Sequence, residues 1–166
     1  FKQGKGLTRP ELCILTSYAK IQLTKDLLKT DIPDDSDMQI WATHYFPDDL
    51  NRTYQEEIKN HRLRREIIAM RMANSIVNRM GPTFVKLLIQ KTGCSHVELA
   101  KAYTIVRESF GLRALWDQIE TMDNKVPAEV QLKAMREISL AAKRSVSWFV
   151  TRVGHNLDIA KGVSEY

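Results

Sequence analysis

The chain has 166 residues, enough for one domain, and a domain of this size buries roughly 70% of the surface its unfolded chain would expose. With 43% hydrophobic and 27% charged residues its composition is that of a globular protein, which excludes a disordered segment, and no apolar run approaches the ~18 to 20 residues needed to cross a bilayer. The 25 basic and 20 acidic residues leave a net charge of +5, which permits weak attraction to anions without requiring any.

Seven glycines and five prolines fall almost entirely between periodic segments and cut the chain into helices. Thr8 starts the first helix as a cap, with Glu11 reaching back to it and Pro10 in the first turn. Leu12, Leu15, Ala19, Leu23 and Leu27 then recur at three- and four-residue steps, predicting one buried stripe that ends near Thr30. Beyond Asp31-Ile32-Pro33, a short helix carrying Met38, Trp41 and Tyr45 runs to Phe46, where Pro47 stops it. Pro47 opens the next helix, whose inward face is Leu50, Tyr54 and Ile58.

From about His61 a strongly periodic helix places Ile68, Met72, Ile76 and Met80 on one face, with Gly81 as its left-handed cap. Pro82 restarts the chain into a helix with Phe84, Leu87 and Leu88 that stops at Gly93. Ser95 and Glu98 form a second capping box before an apolar face of Val97, Leu99, Tyr103, Val106 and Phe110, and Gly111 ends that segment. Leu112 to Met122 contributes Leu115, Trp116 and Ile119. A long final helix after Pro127 carries Val130, Ala134, Ile138, Ala141 or Ala142, Val146, Phe149 and Val153, closed by Gly154. No strand signal appears, and no repeat of fixed period. The expectation is an all-α bundle of about seven helices over residues 8–153, with residues 1–7 as a linker and 154–166 as a loosely ordered tail.

Catalytic motifs are missing. There is no Gly-x-Gly-x-x-Gly or Walker-type loop, no His-Glu-x-x-His helix and no nucleophile elbow. The four histidines, His44, His61, His96 and His155, share no helical ligand spacing, and Cys13 and Cys94 fit no metal pattern, so no metal site is expected. Both cysteines read as reduced thiols in a reducing, cytoplasmic compartment. The first residues lack a secretory signal, and the chain does not begin with Met, so an excised piece of a longer polypeptide is expected.

The densest polar constellation is Arg62, Arg64 and Arg65, followed by Asn74 and Asn78, which share a helix face, and by Arg79. With Arg113 it forms a candidate docking face, because guanidinium forks bind carboxylates bidentately. The blander reading pairs Arg62 with Glu66 and sends its neighbours to the acidic stretch between Asp31 and Glu57. Phe84 to Arg107 is compatible with a helix-turn-helix, whose recognition helix would start at Ser95. Glu98 near its N-terminus would repel phosphate, so nucleic acid is disfavoured as a partner. Trp41, Trp116 and Trp148 fit either the core or an interface.

Several blocks resemble the C-terminal helical region of the large NAD-dependent glutamate dehydrogenases of bacteria. They are Gly6-Leu7-Thr8-Arg9-Pro10-Glu11-Leu12 with Tyr18-Ala19-Lys20; Tyr45-Phe46-Pro47; His61 to Ala69; Asn74 with Val77-Asn78-Arg79; Gly81-Pro82-Thr83-Phe84; Ala102-Tyr103 with Arg107-Glu108; Phe110-Gly111-Leu112-Arg113 with Leu115-Trp116; and Asp123-Asn124 with Val126-Pro127-Ala128. The resemblance implies a parent enzyme that converts glutamate to 2-oxoglutarate and ammonia with NAD and assembles as a homo-oligomer. It implies that the substrate lysine and the nucleotide domain lie upstream. No catalytic or cofactor-binding residue is carried over to this segment. Its implied partners are the catalytic domain of its own parent and neighbouring subunits. The prevalence of polar, turn and arginine positions among the matching blocks favours a docking surface.

Overall fold

A computed structural model of the chain describes residues 6–154 and 157–165. Among these residues there are ten α-helices and no strand, more than the about seven expected: the helix expected after Pro47 breaks in two, and a further one forms near the end. The chain divides into two compact units, Phe1–Phe84 and Val85–Tyr166.

In the first unit, α1 spans Arg9–Leu28. The Glu11 carboxylate accepts the Thr8 amide and the Thr8 hydroxyl, each at 2.7 Å, so the expected cap forms. Two 3-10 turns, Ile32–Asp34 and Ser36–Met38, lead into α2, Gln39–Thr43. Met38 and Trp41 are buried as expected, whereas Tyr45 lies past the helix end and is exposed. Helix α3, Asp48–Thr53, follows Pro47, and α4 is Gln55–Lys59. Tyr54, at φ −124° and ψ 44°, interrupts what the spacing predicts as one helix. The break changes the rotational phase, so Ile58 is buried while Leu50 and Tyr54 are exposed.

Helix α5, Arg64–Met80, is the centre of this unit, with α1, α2 and the first 3-10 turn packed on it. Ile68, Met72, Ile76 and Met80 are all buried, as the periodicity predicts, and burying each such side chain contributes roughly 1.5–3 kcal/mol. Gly81 ends the helix at φ +90°, a conformation that L side chains avoid. Leu23 and Leu27 complete this core, but the rest of the predicted α1 stripe does not: Leu12 and Leu15 are exposed and Ala19 is half-buried.

The second unit contains α6, Phe84–Thr92, but for its first residue, together with α7, His96–Ser109; α8, Leu112–Glu120; α9, Ala128–Arg152; and α10, Ile159–Glu165. Helix α7 is its axis, with α8, α9 and α10 packed around it. Leu99, Ala100 and Ala102 to Arg107 are buried, which no single apolar face would achieve. Of the side chains predicted inward, Trp116, Ile119, Ala142, Val146 and Phe149 are buried, while Leu87, Phe110, Leu115, Val130 and Val153 are exposed.

The end of the chain departs from the expected loose tail. Leu157 and Ile159 are buried, and α10 lies so close to α7 that a Cβ on Gly162 would sit 2.7 Å from Ile105 Cδ1. Glycine is therefore the residue that permits this approach. His155, one of the four histidines, lies outside the described residues.

Candidate docking surface

Two of the predicted docking arginines turn inward. Arg64 donates from Nε to Gln39 Oε1 at 2.6 Å and from a terminal nitrogen to the Pro33 carbonyl at 2.9 Å. Arg65 donates to the carbonyls of Leu28 and Thr30, at 3.1 and 3.2 Å, and pairs with Asp34. Those carbonyls sit at the C-terminal end of α1, where a helix has no partners of its own and its dipole favours a cation. Arg65 thus fastens the start of α5 to the end of α1. One turn and a half further on, Arg71 donates to the His44 carbonyl at 3.1 Å and secures the end of α2.

This arrangement follows the blander reading in one respect, since Arg64 and Arg65 meet the stretch just upstream. It departs in another: no Arg62–Glu66 ion pair forms among the described residues. The Tyr45-Phe46-Pro47 turn is held the same way, with Asn51 Nδ2 donating to the carbonyls of Thr43 and Phe46, each at 2.8 Å. Polar residues in the matching blocks therefore have an internal task, which weakens the argument that their number alone marks a docking surface. Arg62 and Asn78 remain exposed, and Asn74 and Arg79 are half-buried. Arg113 stands on α8 in the other unit, exposed, 4.0 Å from Asp117.

The apolar surface has a different distribution. The first half of α1 carries Leu12, Ile14, Tyr18 and Ile21 at 47, 57, 68 and 50% exposure, just before the helix reaches the core at Leu23. Isolated exposed apolar residues are ordinary, but these four together with Leu15, five within ten positions of one helix, are not. Sequence reasoning found the Leu12 to Leu27 series and missed the second series, Ile14, Tyr18 and Ile21. Its i, i+4, i+7 spacing was the available signal. At the start of this half, the Thr8 hydroxyl and amide hold the Glu11 carboxyl below its ordinary range.

Helix α7 answers the nucleic-acid alternative. A recognition helix must expose the face it lays in a groove, and α7 is enclosed by its own unit. The helix-turn-helix reading of residues 84–107 is corrected on that ground. At its start Glu98 accepts the Ser95 amide and hydroxyl at 2.7 and 2.8 Å, so a carboxylate occupies the place an anion would take. With Glu11 doing the same at α1, the capped helix ends described here do not suit a dinucleotide pyrophosphate.

Trp41 and Trp116 are core residues, whereas Trp148 is 45% exposed and packs edge-on against Phe149. Cys13 is exposed and Cys94 buried, both as free thiols. Among the described residues, no group of three or more His, Cys, Asp or Glu is placed to hold a metal ion. No helix among them is long and apolar enough to cross a membrane.

Internally braced helices with apolar helix surface left over define a helical packing module. Its relationships are specific. The chain belongs to the glutamate dehydrogenase C-terminal family, whose pattern it matches over residues 4–166. It is 43% identical over 149 residues to an NAD-specific glutamate dehydrogenase of Halomonas elongata, covering 90% of this chain and 9% of that protein. To the NAD-specific glutamate dehydrogenase of Pseudomonas aeruginosa it is 41% identical over 163 residues, covering 98% of this chain and 10% of the relative. That of Mycobacterium tuberculosis is 31% identical over 116 residues, 70% of this chain and 7% of the relative. The chain thus spans about a tenth of the length of these relatives.

Proposed function

We propose that this chain is the helical, non-catalytic C-terminal segment of an NAD-dependent glutamate dehydrogenase. The parent enzyme oxidises glutamate to 2-oxoglutarate and ammonia, and NAD, bound elsewhere in the parent, accepts the hydride. The segment packs on the catalytic domain of its own chain or on a neighbouring subunit of a homo-oligomer and restrains domain movement. Residues 1–7 form the link from the upstream catalytic domain. Arg62, Asn74, Asn78 and Arg79 contribute to docking from the first unit and Arg113 from the second, while Arg64 and Arg65 hold α5 to the end of α1. The enzyme works in the cytoplasm.

The observation that carries this reading is the 41% identity across 98% of the chain to an NAD-specific glutamate dehydrogenase. Similarity over so much of the chain supports a shared fold and a shared place in the parent, even though fold alone would not fix function. The exposed apolar surface of α1 supports a mechanical role of this kind. The test is glutamate-dependent NAD reduction, followed at 340 nm. The full-length chain reduces NAD, and the 166-residue chain alone does not. Turnover by the isolated segment, or none by the full-length protein, contradicts the reading.

A further inference from the structure

Between Leu12 and Ile21, α1 carries two apolar stripes. At roughly 100° per residue, Ile14, Tyr18 and Ile21 fall within an arc of about 60°. Leu12, Leu15 and Ala19 fall within a similar arc, centred roughly 120° away. Polar residues separate the two stripes, with Cys13, Ser17, Lys20 and Thr24 along the wide side and Glu11 and Gln22 along the narrow one. From Leu23 onward the second stripe enters the core against α5, and before that point both stripes are exposed except at the half-buried Ala19. Together the two stripes span roughly 180° of the helix, wider than the ~100° face that a surface helix turns to a single core. One flat partner would cover one stripe and leave the other in water.

We propose that the first half of α1 inserts into a two-walled apolar groove of the parent chain's own upstream part, with Ile14, Tyr18 and Ile21 against one wall and Leu12 and Leu15 against the other. This rests on the proposed function and names the partner and the element that engages it. Two observations favour the parent chain over a second copy of this segment. The relatives carry about nine-tenths of their length outside the matched stretch, and the matched family is the C-terminal one, so in them that length precedes the helix corresponding to α1. A helix joined directly to its receptor also meets it at a high effective concentration, which an independent copy lacks. Pairing of two copies of α1 would, in addition, cover one stripe of each and leave the other exposed.

The test uses the full-length chain. A photoreactive benzoylphenylalanine is introduced at Leu12 or at Ile14, and isotopically light and heavy chains are mixed before irradiation. Each position is expected to cross-link within its own chain, to two different stretches of upstream sequence, one per wall. Light-to-heavy products, reaction from one position only, or no product from either would overturn the proposal. In parallel, Ile14→Glu and Tyr18→Glu each remove apolar surface that the unit's core does not use. Trypsin cleavage after Lys20 of the native full-length chain should accelerate at least about tenfold, because an unpaired carboxylate cannot stay in an apolar groove. Unchanged cleavage would also overturn it. A chain that oxidises glutamate yet gives no cross-links refutes the groove alone; the mapped cross-links in a chain without glutamate turnover refute the dehydrogenase reading alone.

Discussion

Gly162→Ala sets two rules against each other. In a helix interior alanine is preferred to glycine by roughly 0.5–1 kcal/mol, so propensity predicts that the change stabilises α10. Packing predicts the reverse. The new Cβ would sit 2.7 Å from Ile105 Cδ1 and 3.0 Å from both Cγ1 and Cγ2, closer than non-bonded carbons tolerate. Ile105 is branched at Cβ and 1% exposed, so it has no free rotamer into which to withdraw. Overpacking of this kind costs about 1–3 kcal/mol, which outweighs the propensity gain and leaves a net loss of about 1 kcal/mol. Hydrogen exchange of the amides in residues 159–165 should then quicken by roughly five- to tenfold, reporting local release of α10 from α7. Ile105→Val removes the nearest methyl at a cost of about 0.5–1.5 kcal/mol on its own. Combined with Gly162→Ala it should cost less than the sum of the two, by about 1 kcal/mol. Slower or unchanged exchange in Gly162→Ala would refute the close approach of α10 to α7.

Arg65→Ala removes two charge-assisted hydrogen bonds to the end of α1 and one half-exposed ion pair, and should lower stability in urea titration by about 2 kcal/mol. Asp34→Ala, which removes only the ion pair, should cost less than about 1 kcal/mol; equal losses would show that the carbonyl contacts contribute nothing. Leu27→Ala should destabilise the 166-residue chain by roughly 2–5 kcal/mol, since Leu27 is fully buried, while Leu12→Ala should stay within about 0.5 kcal/mol. A comparable loss at both positions would mean that the predicted stripe is buried along its whole length after all. The Glu11 carboxyl is held below its ordinary range by Thr8, so its contribution is complete above that range and is lost as pH falls through the lowered value. The Thr8 amide resonance should therefore titrate with a midpoint below that of an ordinary glutamate, and Glu11→Gln should abolish the transition; a midpoint at or above the ordinary value would remove the cap from the account.

What could be read from the sequence was whatever is settled within a few residues. The boxes at Thr8 and Ser95, the helix start after Pro47, the stripe of α5 and its glycine end each depend on neighbours within a few positions, and each is present. The losses share one cause. Tyr54 breaks a helix that spacing would continue. Leu12 and Leu15 continue a stripe past the point where the unit has anything to pack on it. Residues 159–165 form too short and glycine-containing a helix to announce itself, because α7 supplies its stability and Gly162 reads as a breaker until its neighbour is known. The arginines show the same limit: residue type marks Arg64 and Arg65 as anion binders, but only the fold shows that helix-end carbonyls and Asp34 take them.

The claim that the segment restrains its parent is met most directly by removing it. In the full-length chain, a stop codon placed before Thr8 is expected to leave the nucleotide and substrate sites in place while lowering both kcat for glutamate oxidation and the melting temperature. A truncated enzyme that matches the intact one in turnover, thermal stability and subunit assembly would contradict the account.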